Sequence, residues 1–338
     1  MPRFCVFIVP MILGLLAMFS AGSPPPNSSR GILLVANKGE HTLGIIDPEA
    51  GKQIAAVPEG GVTGHEVIAS PDGRLAYVPI YGDSGVGKPG TDGNNLVVID
   101  IASQKVIGNV NFGHGVRPHC PMFGPKDGLL YVSTELENAI TVIDPHTLKI
   151  VGSVPTGKPE SHMFALTRDG RYAYTTNVGS GTVSVLDIAA RKTLDVISVS
   201  PVVQRIALSV DDRYAFTSDQ AKPQLAVIDT STRKVKSWVA LPGPGYGTAA
   251  TPDGNWLVIA MPTVHKVGVL NLKTMNLDHT IDVPAAPQEV LVRPDGAVAY
   301  VSCDASKKVA EIRTSDWTVS RLIDAGAGAD GLAWANQK

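Results

Sequence analysis

From residue 31 to its end the chain repeats one phrase of short β runs separated by polar turns. Aligning the second run of each phrase places Leu34, Tyr77, Tyr131, Tyr174, Phe216, Val258 and Tyr300 in register, and these lie 43, 54, 43, 42, 42 and 42 residues apart. A fixed period near 42 marks one supersecondary unit copied around an axis, since a single copy cannot bury its own apolar face. In the unit beginning at His162 the sequence predicts strands over 163–167, 172–176, 182–186 and 193–199. β-branched and aromatic runs with an Asp169-Gly170 turn favour hairpins over helices. No helix is expected beyond the N-terminal segment.

The first phrase supplies only three strands, over 32–36, 42–46 and 53–57. The strand that should precede them stands at the other end, over 331–334. Pairing the two ends predicts an all-β, seven-bladed β-propeller of four-stranded antiparallel blades. The N-terminal three strands plus the C-terminal one strand close the ring, which protects edges that would otherwise pair with other chains.

Ser70-Pro71-Asp72-Gly73-Arg74-Leu75-Ala76-Tyr77-Val78, Tyr174-Thr175-Thr176-Asn177, the stretch 177–187 and Val227-Ile228-Asp229 resemble the YVTN-type seven-bladed propeller repeat. The resemblance runs from 31 to 334 and extends to a superfamily with lactonase-like members. It implies the fold, but that family hosts surface-layer proteins, binding proteins and enzymes, so it implies no single activity.

With 29 basic against 31 acidic residues and a net charge of -2, the chain has no basic block to hold a nucleic acid. Arg3, an apolar run over 6–19 and small residues Ser20, Ala21 and Gly22 read as an export signal over 1–22. A polar, Pro- and Ser-rich leader over 23–30 and the propeller over 31–338 complete the expected organisation. The apolar run is short for a membrane span, so no integral membrane segment is expected after signal removal. The expected destination is secreted or periplasmic, and the expected state is a monomer. Signal removal leaves Cys120 and Cys303, far apart in repeat order and ill placed for a bridge.

Twelve residues before each second-strand marker lies the start of the innermost strand, beside the central channel. The residues there are His65, His119, His162, Gln204, Tyr246 and Gln288, with Asp330 near the C-terminal equivalent. Three of the chain's 8 histidines thus hold equivalent positions in consecutive blades. The long insertion between Tyr81 and Asn95 falls in a loop that opens on the same face and should overhang them.

Three imidazoles with an open position fit a divalent transition metal such as Zn, Fe or Cu, with Glu66, Glu135, Glu160 and Asp330 as further oxygen donors. One step along lie Glu66, Cys120, Met163, Arg205, Gly247 and Glu289. Arg205 there suits either an anionic ligand or an ion network with Glu66 and Glu289. Cys120 and Met163 point away from the faces of His119 and His162, which counts against copper ligation by soft donors.

Gly82 to Lys88 matches the start of a phosphate-binding loop, but Pro89 replaces the Ser or Thr and no helix follows. Asp72, Asp169, Asp253 and Asp295, with Asp211-Asp212, read as turn punctuation, and so do Asp47, Asp100, Asp144, Asp187 and Asp229. His146 and His279 read as exposed turn residues, whereas His41 and His265 lie in loops that can approach the mouth. No Gly-x-Ser-x-Gly element is present.

The sequence therefore predicts an exported propeller that binds a small ligand or metal at the channel mouth through His65, His119 and His162, with Gln204, Tyr246, Gln288, Glu289 and Asp330 around the ligand. The alternative is a metal-dependent hydrolase, lactonase-like, or a lyase, in which Glu66 or a histidine moves a proton and Arg205 orients the substrate. A second alternative is a propeller carrying a redox cofactor, although no Cys-x-x-Cys-His element is present.

Overall fold

The computed structural model describes residues 1, 2 and 30–337. The expected signal and nearly all of the expected leader lie outside these residues. Within them, 28 strands form seven four-stranded antiparallel sheets.

Blade 1 orders its strands Ala329–Asn336, Gly31–Asn37, Thr42–Asp47 and Lys52–Pro58, so the last strand of the chain is innermost in the first blade. The register pairs Leu33 with Trp334, Leu34 with Ala333 and Val35 with Leu332. The closing strand is longer than the sequence implied, because pairing extends outward from Trp334 to Asn336.

All seven repeat markers fall in second strands, and all are buried. The second and third strands are covered on both faces, whereas an outermost strand such as Lys149–Pro155 alternates with solvent. Apolar clusters accordingly lie between blades. Tyr77, Leu96 and Val98 of blade 2 meet Leu130, Val132 and Ile143 of blade 3, and the other six contacts between neighbouring blades are built alike. The core is a ring around a polar channel, so the inner strands are free to carry function.

Aspartates 47, 100, 144, 187 and 229 accept backbone N–H groups two or three residues on, as turn residues should. Short 3-10 turns at Glu135–Glu137, Val178–Ser180, Pro262–Val264 and Asp304–Ser306 join second and third strands in four blades. The repeat pattern gave no helix there, because one i to i+3 bond closes so short a loop without any apolar periodicity.

Cys120 and Cys303 are buried free thiols in the separate contacts between blades 3 and 4 and between blades 6 and 7. Removing residues 329–338 uncovers the Gly31–Asn37 edge and the Leu33 and Val35 faces. The truncated chain should lose cooperative thermal unfolding and associate in sedimentation. An unchanged melting temperature in a monodisperse truncated chain would contradict closure as a stability determinant.

Candidate functional site

On the face where loops enter the inner strands, a cavity of about 240 Å³ is lined by His65, His119, His162, Gln204, Tyr246, Lys38, Tyr81, Arg205 and Asp330, with Gly85, Val86 and Lys88 above. Those last three belong to the blade 2 insertion, which joins Leu75–Gly82 to Asp92–Asp100 through residues 83–91. Part of the extra length extends this hairpin. The remainder forms a strap over the mouth. Gly82 turns into the strap at φ +114, where an added Cβ would stand 2.0 Å from the Thr91 carbonyl oxygen.

The imidazoles reach one opening because equivalent positions of blades 2, 3 and 4 face the same axis. His119 and His162 stack with centroids 4.0 Å apart, and His65 meets His119 edge-on at 5.6 Å. Tyr81 stacks on His65 at 4.7 Å and presents its hydroxyl to both oxygens of Glu135, at 3.0 and 2.9 Å. His162 Nδ1 lies 3.1 Å from Glu135 Oε2. His119 Nδ1 is buried and has no hydrogen-bond partner among the described residues.

Below this layer the channel is charged. Arg205 donates to Glu66 at 2.7 Å and to Asp330 at 3.2 Å, and it also pairs with Glu289. The Tyr246 ring lies 4.6 Å from its guanidinium carbon. Lys38 Nζ bridges Asp304 and Asp330, at 3.1 Å from each.

Burial lowers the His65 pKa to about 4, with Lys38 and Arg205 adding to the effect and Asp330 opposing it. Burial, then the other imidazoles, hold His119 well below the ordinary value, so both rings are neutral at pH 7. Burial would lift the Glu135 carboxyl, but hydrogen bonds from His162 and Tyr81 and the Arg117 charge outweigh it and hold the group low. Glu66 goes the other way, pushed by burial up to about 7 against the pull of Arg205. Desolvation also lifts the Cys120 thiol to about 12, consistent with its side chain pointing into the apolar contact beside Phe164.

The structure thus brings His65, His119, His162, Gln204, Tyr246, Arg205 and Asp330 to one cavity. Glu66 and Glu289 stand in the ion network beneath, and Gln288 does not line the mouth: its amide nitrogen donates to the Ala286 carbonyl at 3.5 Å. The expected three-histidine metal centre is not formed. Among the described residues no group of three or more His, Cys, Asp or Glu side chains is arranged to hold a metal ion. Ring stacking explains this, since His119 and His162 lie face to face 27° from parallel and His162 Nδ1 is taken by Glu135.

Exposed His41 and His265 are absent from the lining. Tyr81, Lys38 and Arg117 were missed as site residues. The first ends the same strand as the repeat marker Tyr77, and Arg117 precedes His119 by the two residues that separate Glu160 from His162.

Residues 126–336 match the family described as Cytochrome D1 heme domain. Similar solved structures include the Kuenenia stuttgartiensis Hydrazine Synthase, at 22% identity and TM-score 0.73, with 84% of this chain and 92% of that chain covered. Dihydro-heme d1 dehydrogenase NirN in complex with DHE aligns at 14% identity and TM-score 0.65, covering 89% of this chain and 74% of that one. At these identities the likeness is one of fold. The 6-phosphogluconolactonase of Bacillus subtilis (strain 168) is 26% identical over 117 residues, 28% of this chain. The chain spans about a third, 34%, of that relative's length.

Arg205→Met leaves the buried carboxylates of Glu66 and Asp330 and the half-buried Glu289 facing one another and should cost about 3–5 kcal/mol in denaturant unfolding. Glu66, already raised to about 7, contributes stability below its unfolded value that is lost as pH climbs through the folded value, so the deficit should widen from pH 5 to pH 8. A midpoint unchanged at both pH values would mean that the network contributes nothing.

Proposed function

Since the chain belongs to the cytochrome D1 heme domain family, whose description names a heme, we propose that this member uses the family's propeller to bind a small organic ligand at the strap-covered mouth. Neutral, unpartnered His119 has the chemistry of an axial ligand, but the surrounding space does not fit a macrocycle. A cavity of about 240 Å³ is smaller than the roughly 300–1,000 Å³ typical of drug-sized ligands. The face of His119 is also covered by the His162 ring at 4.0 Å.

The observation that carries the reading is the closed convergence of imidazoles, Tyr81 and Tyr246, with Lys38 and Lys88 in the same lining. Flat rings offer stacking faces, neutral nitrogens offer hydrogen bonds, and the Lys88 ammonium favours a carbonyl-bearing or carboxylate-bearing molecule. Arg3 and the apolar run over 6–19 support export as part of this reading. No helix among the described residues is long and apolar enough to cross a membrane.

The Glu135–His162 pair favours a second reading, hydrolysis of a small lactone. With Nδ1–H donated to Glu135, Nε2 of this cavity-lining ring is the basic nitrogen, and a buried carboxylate that fixes the imidazole's tautomer is how a general base is oriented. Nε2 takes a proton from water as the water oxygen bonds to the carbonyl carbon. The ring C–O bond then breaks, and the leaving alkoxide receives that proton, giving the hydroxy acid. The short match to a lactonase supports the same reaction class.

Calorimetry with small sugar lactones and their open-chain acids should give one-to-one binding, weakened at least tenfold by His119→Ala. Hemin added to the wild-type protein should give no stoichiometric Soret shift. A one-to-one shift abolished by His119→Ala would overturn the small-ligand reading. For the hydrolytic reading, Glu135→Gln should slow lactone opening in a pH-stat by about 10²-fold, and equal rates would remove the pair from the chemistry.

A further inference from the structure

Arg117 touches both the strap and the Glu135–His162 pair. Buried in the loop before the inner strand of blade 3, it donates from Nε to Asp92 at 2.6 Å and from Nη2 to the Lys88 carbonyl at 2.7 Å. Its Nη1 reaches the Gly85 carbonyl at 3.3 Å and Glu135 Oε1 at 3.4 Å. Its backbone N–H donates to the Gly93 carbonyl at 3.0 Å. The φ of +50 at Arg117 matches the +57 of Glu160 in the next blade, so the backbone is that of the repeat and the distinctive feature is the side chain.

The strap has few other ties. Its own bonds are local, Lys88 N–H to the Gly85 carbonyl at 2.9 Å, Asp83 N–H to the Thr91 carbonyl at 3.2 Å and Thr91 N–H to Asp83 at 2.5 Å. Gly85, Gly87 and Gly90 give its backbone access to conformations that other residues rarely adopt.

We propose that Arg117 is a positioning residue that latches the 83–91 strap over the cavity and simultaneously holds Glu135, so that closure of the mouth and alignment of the Glu135–His162 pair are one two-state element. The closed state limits the mouth to small ligands. When the strap lifts, water satisfies the Gly85 and Lys88 carbonyls, but the guanidinium, left with Asp92 at the strand end, loses the two carbonyls that fix its plane and with them its aim at Glu135. A fork of five fixed donors makes this shared grip, and a lysine ammonium does not reproduce it.

The inference rests on the mouth being the binding site, yet its test uses no ligand, so failure of the latch and failure of the binding reading are told apart. Diethylpyrocarbonate labelling, read by mass spectrometry, measures the reactivity of His119 and His162 against exposed His41 and His146 in the same molecule, while hydrogen exchange follows amides 84–91. Arg117→Gln should speed labelling of His119 and His162 at least tenfold with the two controls unchanged, and amides 84–91 should exchange faster. Arg117→Lys should act in the same direction.

Asp92→Asn, which removes the charge that seats the guanidinium at the foot of the strap and leaves the Glu135 contact, should raise strap exchange as well, and it carries the test if an Arg117 variant does not fold. Unchanged labelling in every folded variant would overturn the latch. So would an equal rise at all four histidines, which would reveal a general loosening.

Discussion

The antiparallel pairing of Gly31–Asn37 with Ala329–Asn336 determines the geometry on which the site depends. It joins the two ends of the chain inside one sheet, and the remaining six sheets must then distribute themselves around an axis. Apolar contacts between neighbouring blades fill the ring and leave its centre to side chains on inner strands. Residues separated by a whole repeat become neighbours for this reason. His119 and His162, 43 positions apart in the chain, stack at 4.0 Å. The Gly331 amide donates to the His65 carbonyl at 2.9 Å, so ring closure also fixes the inner segment that carries the first imidazole.

Two electrostatic layers follow from that convergence. The lower one confines Arg205 and Lys38 with Glu66, Glu289, Asp330 and Asp304, opposite charges that are tolerable in a buried channel because each has a partner. In the upper layer, burial and nearby cations keep His65 and His119 neutral. A neutral ring can accept or donate one hydrogen bond with little desolvation, whereas an imidazolium there would meet Arg205 and Lys38. The strap covers part of this layer, and a polar contact strengthens wherever water is excluded from it.

The sequence made the architecture legible because buried second strands impose a period, and each repeat marker proved to be a buried second-strand residue. The mouth residues were legible for the same reason: a constant offset of twelve from the marker led to His65, His119 and His162. Ring orientation was not. The metal expectation treated three imidazoles as three donors, but Tyr81 stacking on His65 and Glu135 engaging His162 turn those rings into walls and a hydrogen-bonded pair. Periodicity also says nothing about Arg117 or Lys38. Their roles depend on where a nine-residue loop (83–91) folds back and on which carboxylates the closing strand delivers, neither of which a local spacing encodes.

The central claim is that His65 and His119 stand neutral in a closed mouth. Ring nitrogen-15 shifts of the histidines, assigned with His65→Gln and His119→Gln and followed from pH 7.5 to pH 5, measure it directly. The account predicts that both rings stay neutral down to pH 5, well below the ordinary imidazole value of about 6.5. Protonation of either ring near that value would place it in water and contradict the closed mouth.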